Sequence, residues 1–161
     1  MPNWCEGTLK VRGEIKNVGK WVRECVSIRH PKYNINFVVQ IDVVSDGIFV
    51  DAGEEEISVE VTEMAYIKGT YRCFVQKGMY GATGDKNIIV LCMKFQAAWI
   101  INPEEFINMS KKYDIDFRLY GCERGNEFCQ EVIVENGMLT KDQKIRYDNY
   151  SWECPFPLLG G

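Results

Sequence analysis

Ile88-Ile89-Val90-Leu91-Cys92-Met93-Lys94-Phe95-Gln96-Ala97-Ala98 is the most apolar stretch of the chain, and Asn102-Pro103-Glu104-Glu105 follows it closely. Its unbroken apolar part, Ile88 to Met93, is far too short to cross a bilayer. It reads as a central strand, rich in residues that suit a sheet buried on at least one face. The four residues after the turn read as a helix start. Asn102 can cap the first backbone amides, Pro103 fits the first helical position, and two acids sit near the positive end of the helix dipole. Phe106, Met109 and Tyr113 then recur at helical spacing and predict an inward stripe.

On the C-terminal side, Asp116 to Glu123 and Glu127 to Glu135 predict a hairpin around Gly125-Asn126, and Asn136-Gly137 marks a second turn. From Lys141 onward the chain reads as a tail, polar and then aromatic, that packs on the domain and frays at Gly160-Gly161. On the N-terminal side, Trp4 to Arg12 alternates as a strand. Cys5, Gly7, Leu9 and Val11 lie on the apolar face, and Trp4, Glu6, Thr8, Lys10 and Arg12 on the other. Asn17 is placed to cap a helix over residues 17–28, with Val18, Trp21, Val22 and Cys25 as its apolar face.

The middle is β-rich. Ile35, Phe37, Val39, Ile41 and Val43 alternate, Asp46-Gly47 signals a hairpin, and Ile48–Val50, Ile57–Val61 and Thr70–Gln76 are further strand candidates. Gly78, Gly81 and Gly84 predict a flexible loop. They lack the spacing and the following Lys-Ser or Lys-Thr of a phosphate loop. A strand–helix–strand unit at each end predicts an α+β, ferredoxin-like antiparallel sheet with two helices on one face. Residues 33–86 exceed that minimal fold and read as a β-rich, acidic insertion within a single domain spanning 1–161.

A hydrophobic content of 46% predicts a packed globule, and a net charge of −4 argues against a whole-chain electrostatic grip on nucleic acid. The first residues lack the basic and apolar regions of a secretory signal, so the expected location is the cytoplasm, with no membrane partner. The seven cysteines, Cys5, Cys25, Cys73, Cys92, Cys122, Cys129 and Cys154, contain no CxxC pair, and His30 is the only histidine. No zinc spacing is visible, and neither metal nor cofactor is expected. Free thiols are the default in a reducing compartment. If Gly125-Asn126 centres a hairpin, Cys122 and Cys129 face each other, either as an oxidised pair or as two half-buried thiols. His30, beside Pro31 and without a triad partner, reads as a surface residue.

The opening Pro2-Asn3-Trp4-Cys5-Glu6, continued by Thr8-Leu9, Val11 and Gly13, resembles the start of the YubB-like family of phages, plasmids and other mobile elements. Phe95, Ala98-Trp99, Pro103, Tyr113, Tyr120, Glu123, Gly125 and Phe128 resemble the family's later half. Gly7, Ile100-Ile101 and Gln130 depart from its usual residues. The resemblance implies a ferredoxin-like fold and a mobile-element origin, and it carries no catalytic residue. Within the motif, Asn3, Trp4, Cys5, Trp99, Glu123, Gly125 and Phe128 read as structural. Asn3 satisfies backbone groups, Trp4 caps the core and Cys5 fills a tight space. Glu123 ends a strand and is expected to pair with an arginine.

Charge is segregated. From Tyr33 to Ile67 there is no Lys or Arg, yet Asp42, Asp46, Asp51, Glu54, Glu55, Glu56, Glu60 and Glu63 all fall there. Grouped like charges weaken a free protein and can steer a basic partner. The leading expectation is a non-enzymatic binding protein for a basic protein or nucleic-acid-binding enzyme of the host. An inhibitor of a host defence nuclease, of anti-CRISPR type, would use the acids to mimic nucleic acid. The plain reading is a solvated acidic hairpin, and a divalent-cation site lacks the Ca²⁺-loop spacing. One alternative is a single-stranded nucleic-acid-binding module stacking bases on Tyr71, Phe74, Phe95, Phe117 and Tyr120. Another is a small enzyme using Cys5 or Glu123.

Overall fold

The computed structural model describes residues 3–33, 39–44, 47–84 and 88–161, and of 29–33 and 39–44 the backbone pairing alone. The element order is β1 (Trp4–Glu14), α1 (Ile15–Cys25), β2 (Val26–Tyr33), β3 (Val39–Val44), β4 (Ile48–Ala52), β5 (Glu56–Val61), β6 (Ala65–Ile67), β7 (Cys73–Val75), β8 (Gly78–Thr83), β9 (Ile88–Ala98), α2 (Pro103–Tyr113), β10 (Asp116–Glu123), β11 (Phe128–Glu135), β12 (Met138–Arg146) and α3 (Tyr150–Glu153). Nine strands form one sheet in the order β12-β11-β10-β1-β9-β7-β6-β2-β3, and β4-β5-β8 form a second. The paired strands are antiparallel throughout.

This corrects the ferredoxin-like α+β expectation. Among the described residues the chain is mostly β, with twelve strands against three short helices, and so belongs to another class. The cause lies in the middle and at the C-terminus. β2, β3, β6 and β7 extend the main sheet, while β4, β5 and β8 form the second one, so the described strands of residues 33–86 divide between the two sheets. β12 extends it at the other edge, where a tail was expected. The side chains of β12 are nearly all exposed, so its sequence carries no alternation to announce a strand.

Other local expectations shift for similar reasons. α1 runs Ile15–Cys25 rather than 17–28, because the β-branched Val26 and Ile28 leave the helix to pair with Ile67 and Ala65. Asn17 lies inside α1 and does not cap it. β3 and β4 enter different sheets; Asp46 of the expected Asp46-Gly47 turn, with Ile35 and Phe37, lies outside the described residues. The glycine-marked loop is strand β8, paired along β5 from Gly78↔Val61 to Thr83↔Glu56.

β9 and α2 form as their sequence predicts. The Asn102 side chain accepts from the Glu104 amide at 3.3 Å, with Pro103 opening the helix. β1, β9 and β10 send Cys5, Leu9, Val11, Ile89, Leu91, Met93, Phe95, Phe117 and Leu119 to one face, where α1 and α2 complete the core. Trp21 of α1 meets Phe117 edge-on at 5.4 Å, and Phe106 of α2 meets the same ring at 5.3 Å. Burying such rings contributes about 2–3 kcal/mol each. Ile57, Val59 and Val61 of β5 join this core, and Gly19 of α1 faces Ala52 and Ile57. The opposite face of the main sheet exposes Thr8, Lys10, Arg12, Val90, Cys92 and Lys94. Among the described residues no helix is long and apolar enough to cross a membrane.

Candidate functional site

Part of the acidic segment makes the outer face of the three-stranded sheet, whereas Asp42 belongs to β3 of the main sheet. Strand alternation turns Ile57, Val59 and Val61 inward and Glu56, Ser58 and Glu60 outward. Register then sets Glu60 between Phe49 of β4 and Met79 of β8, and Asp51 opposite Ser58. Glu54 and Glu55 sit in the β4–β5 turn, closed by the Gly53 amide on the Glu56 carbonyl at 2.9 Å. Glu63 follows β5.

Asp51, Glu54, Glu55, Glu56, Glu60 and Glu63 are all exposed. Among the described residues none of the six lies within salt-bridge distance of a basic side chain. The side chains of Asp42 and Asp46 lie outside the described residues. Two large apolar side chains share this face: Phe49 is 57% exposed and Met79 77%. The charge count alone did not reveal them. The signal was available as their register opposite Glu60, which requires knowing that the glycine-rich run is a strand.

The motif residues gather at one end of the main sheet. Glu123 is fully buried. Its Oε1 accepts from the Gly125 amide at 2.6 Å, and its Oε2 accepts from the Asn126 amide at 2.9 Å and from the Asn126 side-chain amide. Among the described residues no arginine is its partner; the carboxylate clamps its own turn. A Cβ at Gly125 would press on the Asn3 side-chain amide and on Glu123 Oε1, which would have to shift to admit it. The Asn3 carbonyl accepts from the Trp99 amide at 2.8 Å. Cys5 is fully buried, and burial first and Glu123 second push its thiol up to about 12. That is the reverse of an activated nucleophile. Phe128 is buried, with the Lys144 ammonium 4.3 Å above its ring.

The five aromatics proposed to stack bases do not share a surface. Phe95 and Phe117 lie in the core on the helix-covered face. Phe74 is packed edge-on between Trp4 and Tyr66, and Tyr120 meets Phe156. Tyr71 alone is openly exposed, at 75%. It borders a cleft of about 360 Å³ between the β6–β7 loop and the start of α2. Arg72 sits there with its guanidinium carbon 5.6 Å from the Trp4 ring and 5.9 Å from the Trp99 ring. Trp99 has a positive φ of 63°. Burial raises the Glu105 carboxyl, which accepts from the Tyr71 amide at 2.8 Å.

Cys122 and Cys129 are opposite one another in the β10–β11 ladder and are disulfide-bonded. Free thiols are therefore not the state of this pair. Cys154 lies against them, with its sulfur 3.5 Å from that of Cys129 and 3.9 Å from that of Cys122. Residue spacing concealed this third sulfur, because the segment after α3 brings it over the open face of the hairpin.

Comparison with family models, with curated proteins and with solved structures finds no match to this chain.

Proposed function

We propose that this protein is a non-enzymatic binding module that docks a basic protein surface on the outer face of its three-stranded sheet. One observation carries the reading: the described carboxylates stand exposed and unpaired on and around a face that also exposes Phe49 and Met79. A merely solvated acidic hairpin has no need of two large apolar side chains in the row of Glu60. Apolar anchors bordered by charge supply affinity at the centre and partner selection at the rim. The resemblance of the opening motif to mobile-element proteins narrows the partner to a host enzyme whose basic groove holds nucleic acid. On that reading the protein is an inhibitor of a defence nuclease, acting in the cytoplasm of the host.

The test is affinity capture from host lysate with three forms: the native chain, Glu54→Gln/Glu55→Gln/Glu56→Gln, and Phe49→Ser/Met79→Ser. A single basic partner held by the native chain, weakened at high salt and lost in both variants, supports the reading. Equal recovery with all three forms removes it.

A second reading rests on the cleft. Arg72 against Trp4 and Trp99, with Tyr71 at the rim, offers planar surfaces and one positive charge to an unpaired base. Fluorescence titration with single-stranded RNA and DNA near physiological salt tests it, with Tyr71→Ala/Arg72→Ala expected to abolish binding.

A further inference from the structure

The segment after α3 brings a third sulfur, which no sequence spacing connects, onto the Cys122–Cys129 pair of the β10–β11 hairpin. Cys122, Cys129 and Cys154 are all buried, and their sulfurs lie within 4.8 Å of one another. Two of the three separations, 3.5 and 3.9 Å, already fit a metal. Thiolates bound to one tetrahedral zinc at about 2.3 Å stand roughly 3.8 Å apart. The third separation is closed by the Cys122–Cys129 bond and would open to this spacing on reduction.

A second observation points the same way. Tyr150 packs in the same cluster as the three cysteines, is 4% exposed, and its buried hydroxyl makes no hydrogen bond. The hydroxyl lies beside the Cys154 sulfur, which as a thiol offers it only a weak acceptor. A thiolate held on a metal beside it would give that donor an acceptor. Glu123 is not a ligand, since both its oxygens are engaged by the turn and its side chain faces away from Cys122 across the strand.

We propose that Cys122, Cys129 and Cys154 of the reduced protein form a buried site for a thiophilic d¹⁰ metal ion, Zn²⁺ in the first instance, with the disulfide as its oxidised, metal-free alternative. Charge favours a divalent ion. Three buried thiolates are costly alone, and a divalent ion leaves a single negative charge for the Tyr150 hydroxyl to stabilise. The interconversion balances. A phosphine reductant and one water convert the disulfide to two thiols and become the phosphine oxide. Zn²⁺ then replaces the three thiol protons, which pass to solvent.

The experiment uses the full chain, reduced with a phosphine, freed of reductant without air, and titrated with Co²⁺ and then Zn²⁺. The expected result is a sulfur-to-cobalt charge-transfer band that saturates at one equivalent and is bleached by Zn²⁺. Cys154→Ser should weaken uptake at least tenfold, while Cys92→Ser, altering an exposed cysteine outside the cluster, should leave it unchanged. Zn²⁺ should raise the melting temperature of the reduced protein and leave that of the oxidised protein unmoved. A reduced chain without the cobalt band overturns the proposal. So does a band that survives Cys154→Ser, or equal Zn²⁺ stabilisation of both redox forms.

Discussion

The Gly125 amide donates to Glu123 Oε1 at 2.6 Å, so the buried carboxylate at the end of β10 is bound by the turn that it precedes. Glu123→Ala removes the acceptor from two backbone amides and from the Asn126 side chain. The expected loss is about 2–3 kcal/mol in urea unfolding, with Glu123→Gln costing less because one oxygen remains. An unchanged midpoint for Glu123→Ala would show that water replaces the carboxylate freely.

Thiol reactivity should separate the cysteines by burial. Cys92 is exposed, whereas Cys5 and Cys73 are buried with their thiols pushed up by desolvation. Alkylation of the native, unreduced chain near pH 8, followed by peptide mass spectrometry, should label Cys92 first. Cys5 and Cys73 should lag at least a hundredfold. Rapid labelling of Cys5 would revive it as a nucleophile.

Stability should fall on acidification, in part through Glu131. Hydrogen bonds from Lys141 first and Arg118 next, at 2.5 and 2.8 Å, hold its carboxyl below the usual value despite partial burial. A folded-state value below the unfolded one gives stabilisation that is complete above the unfolded pKa, near 4.5, and lost as pH falls through the folded value. Glu131→Gln should therefore flatten the acid limb of a melting-temperature profile below about pH 5. A parallel shift at all pH values would argue against this linkage.

Phe117 and Tyr71 should behave oppositely. Phe117→Ala empties the place where Trp21 and Phe106 meet and should cost about 3–5 kcal/mol. Tyr71→Ala, at an exposed site, should change stability by no more than about 0.5 kcal/mol. Chemical denaturation of the two variants measures both.

Removing charge at Glu54, Glu55 and Glu56 should not weaken the free protein. The triplet has no basic partner among the described residues, so its mutual repulsion has nothing to offset it. The triple Gln variant should melt at the same temperature or slightly higher at low salt, with the difference vanishing at high salt. A lower melting temperature would reveal a structural role for the acids.

Where sequence was legible, local chemistry and packing agreed. Ile88–Ala98 alternates because one face is core, and Asn102-Pro103 starts α2 through backbone capping that needs no tertiary help. The Cys122–Cys129 juxtaposition followed from the centre of the turn alone. Where it failed, long-range pairing decided. Gly78 and Gly81 occupy a strand because β5 offers its edge, against their intrinsic preference. β12 has little burial to signal it, and the middle strands joined the main sheet through partners that no local pattern specifies. The site was legible as composition, in the acids, but not as shape. Phe49 and Met79 became neighbours of Glu60 only through register, and Cys154 reached the hairpin only through the path of the chain.

The position of β1 has a kinetic corollary. β1 sits at the heart of the sheet, flanked by β9 and β10, and its pairing nearest in sequence is Glu14 with Ile88. Leu9 pairs with Met93 and Val11 with Leu91, so a long stretch of chain must close before either gains a native neighbour strand. Folding of this molecule therefore passes through high-contact-order closure, which is slow and leaves apolar strands open to off-pathway pairing in the meantime.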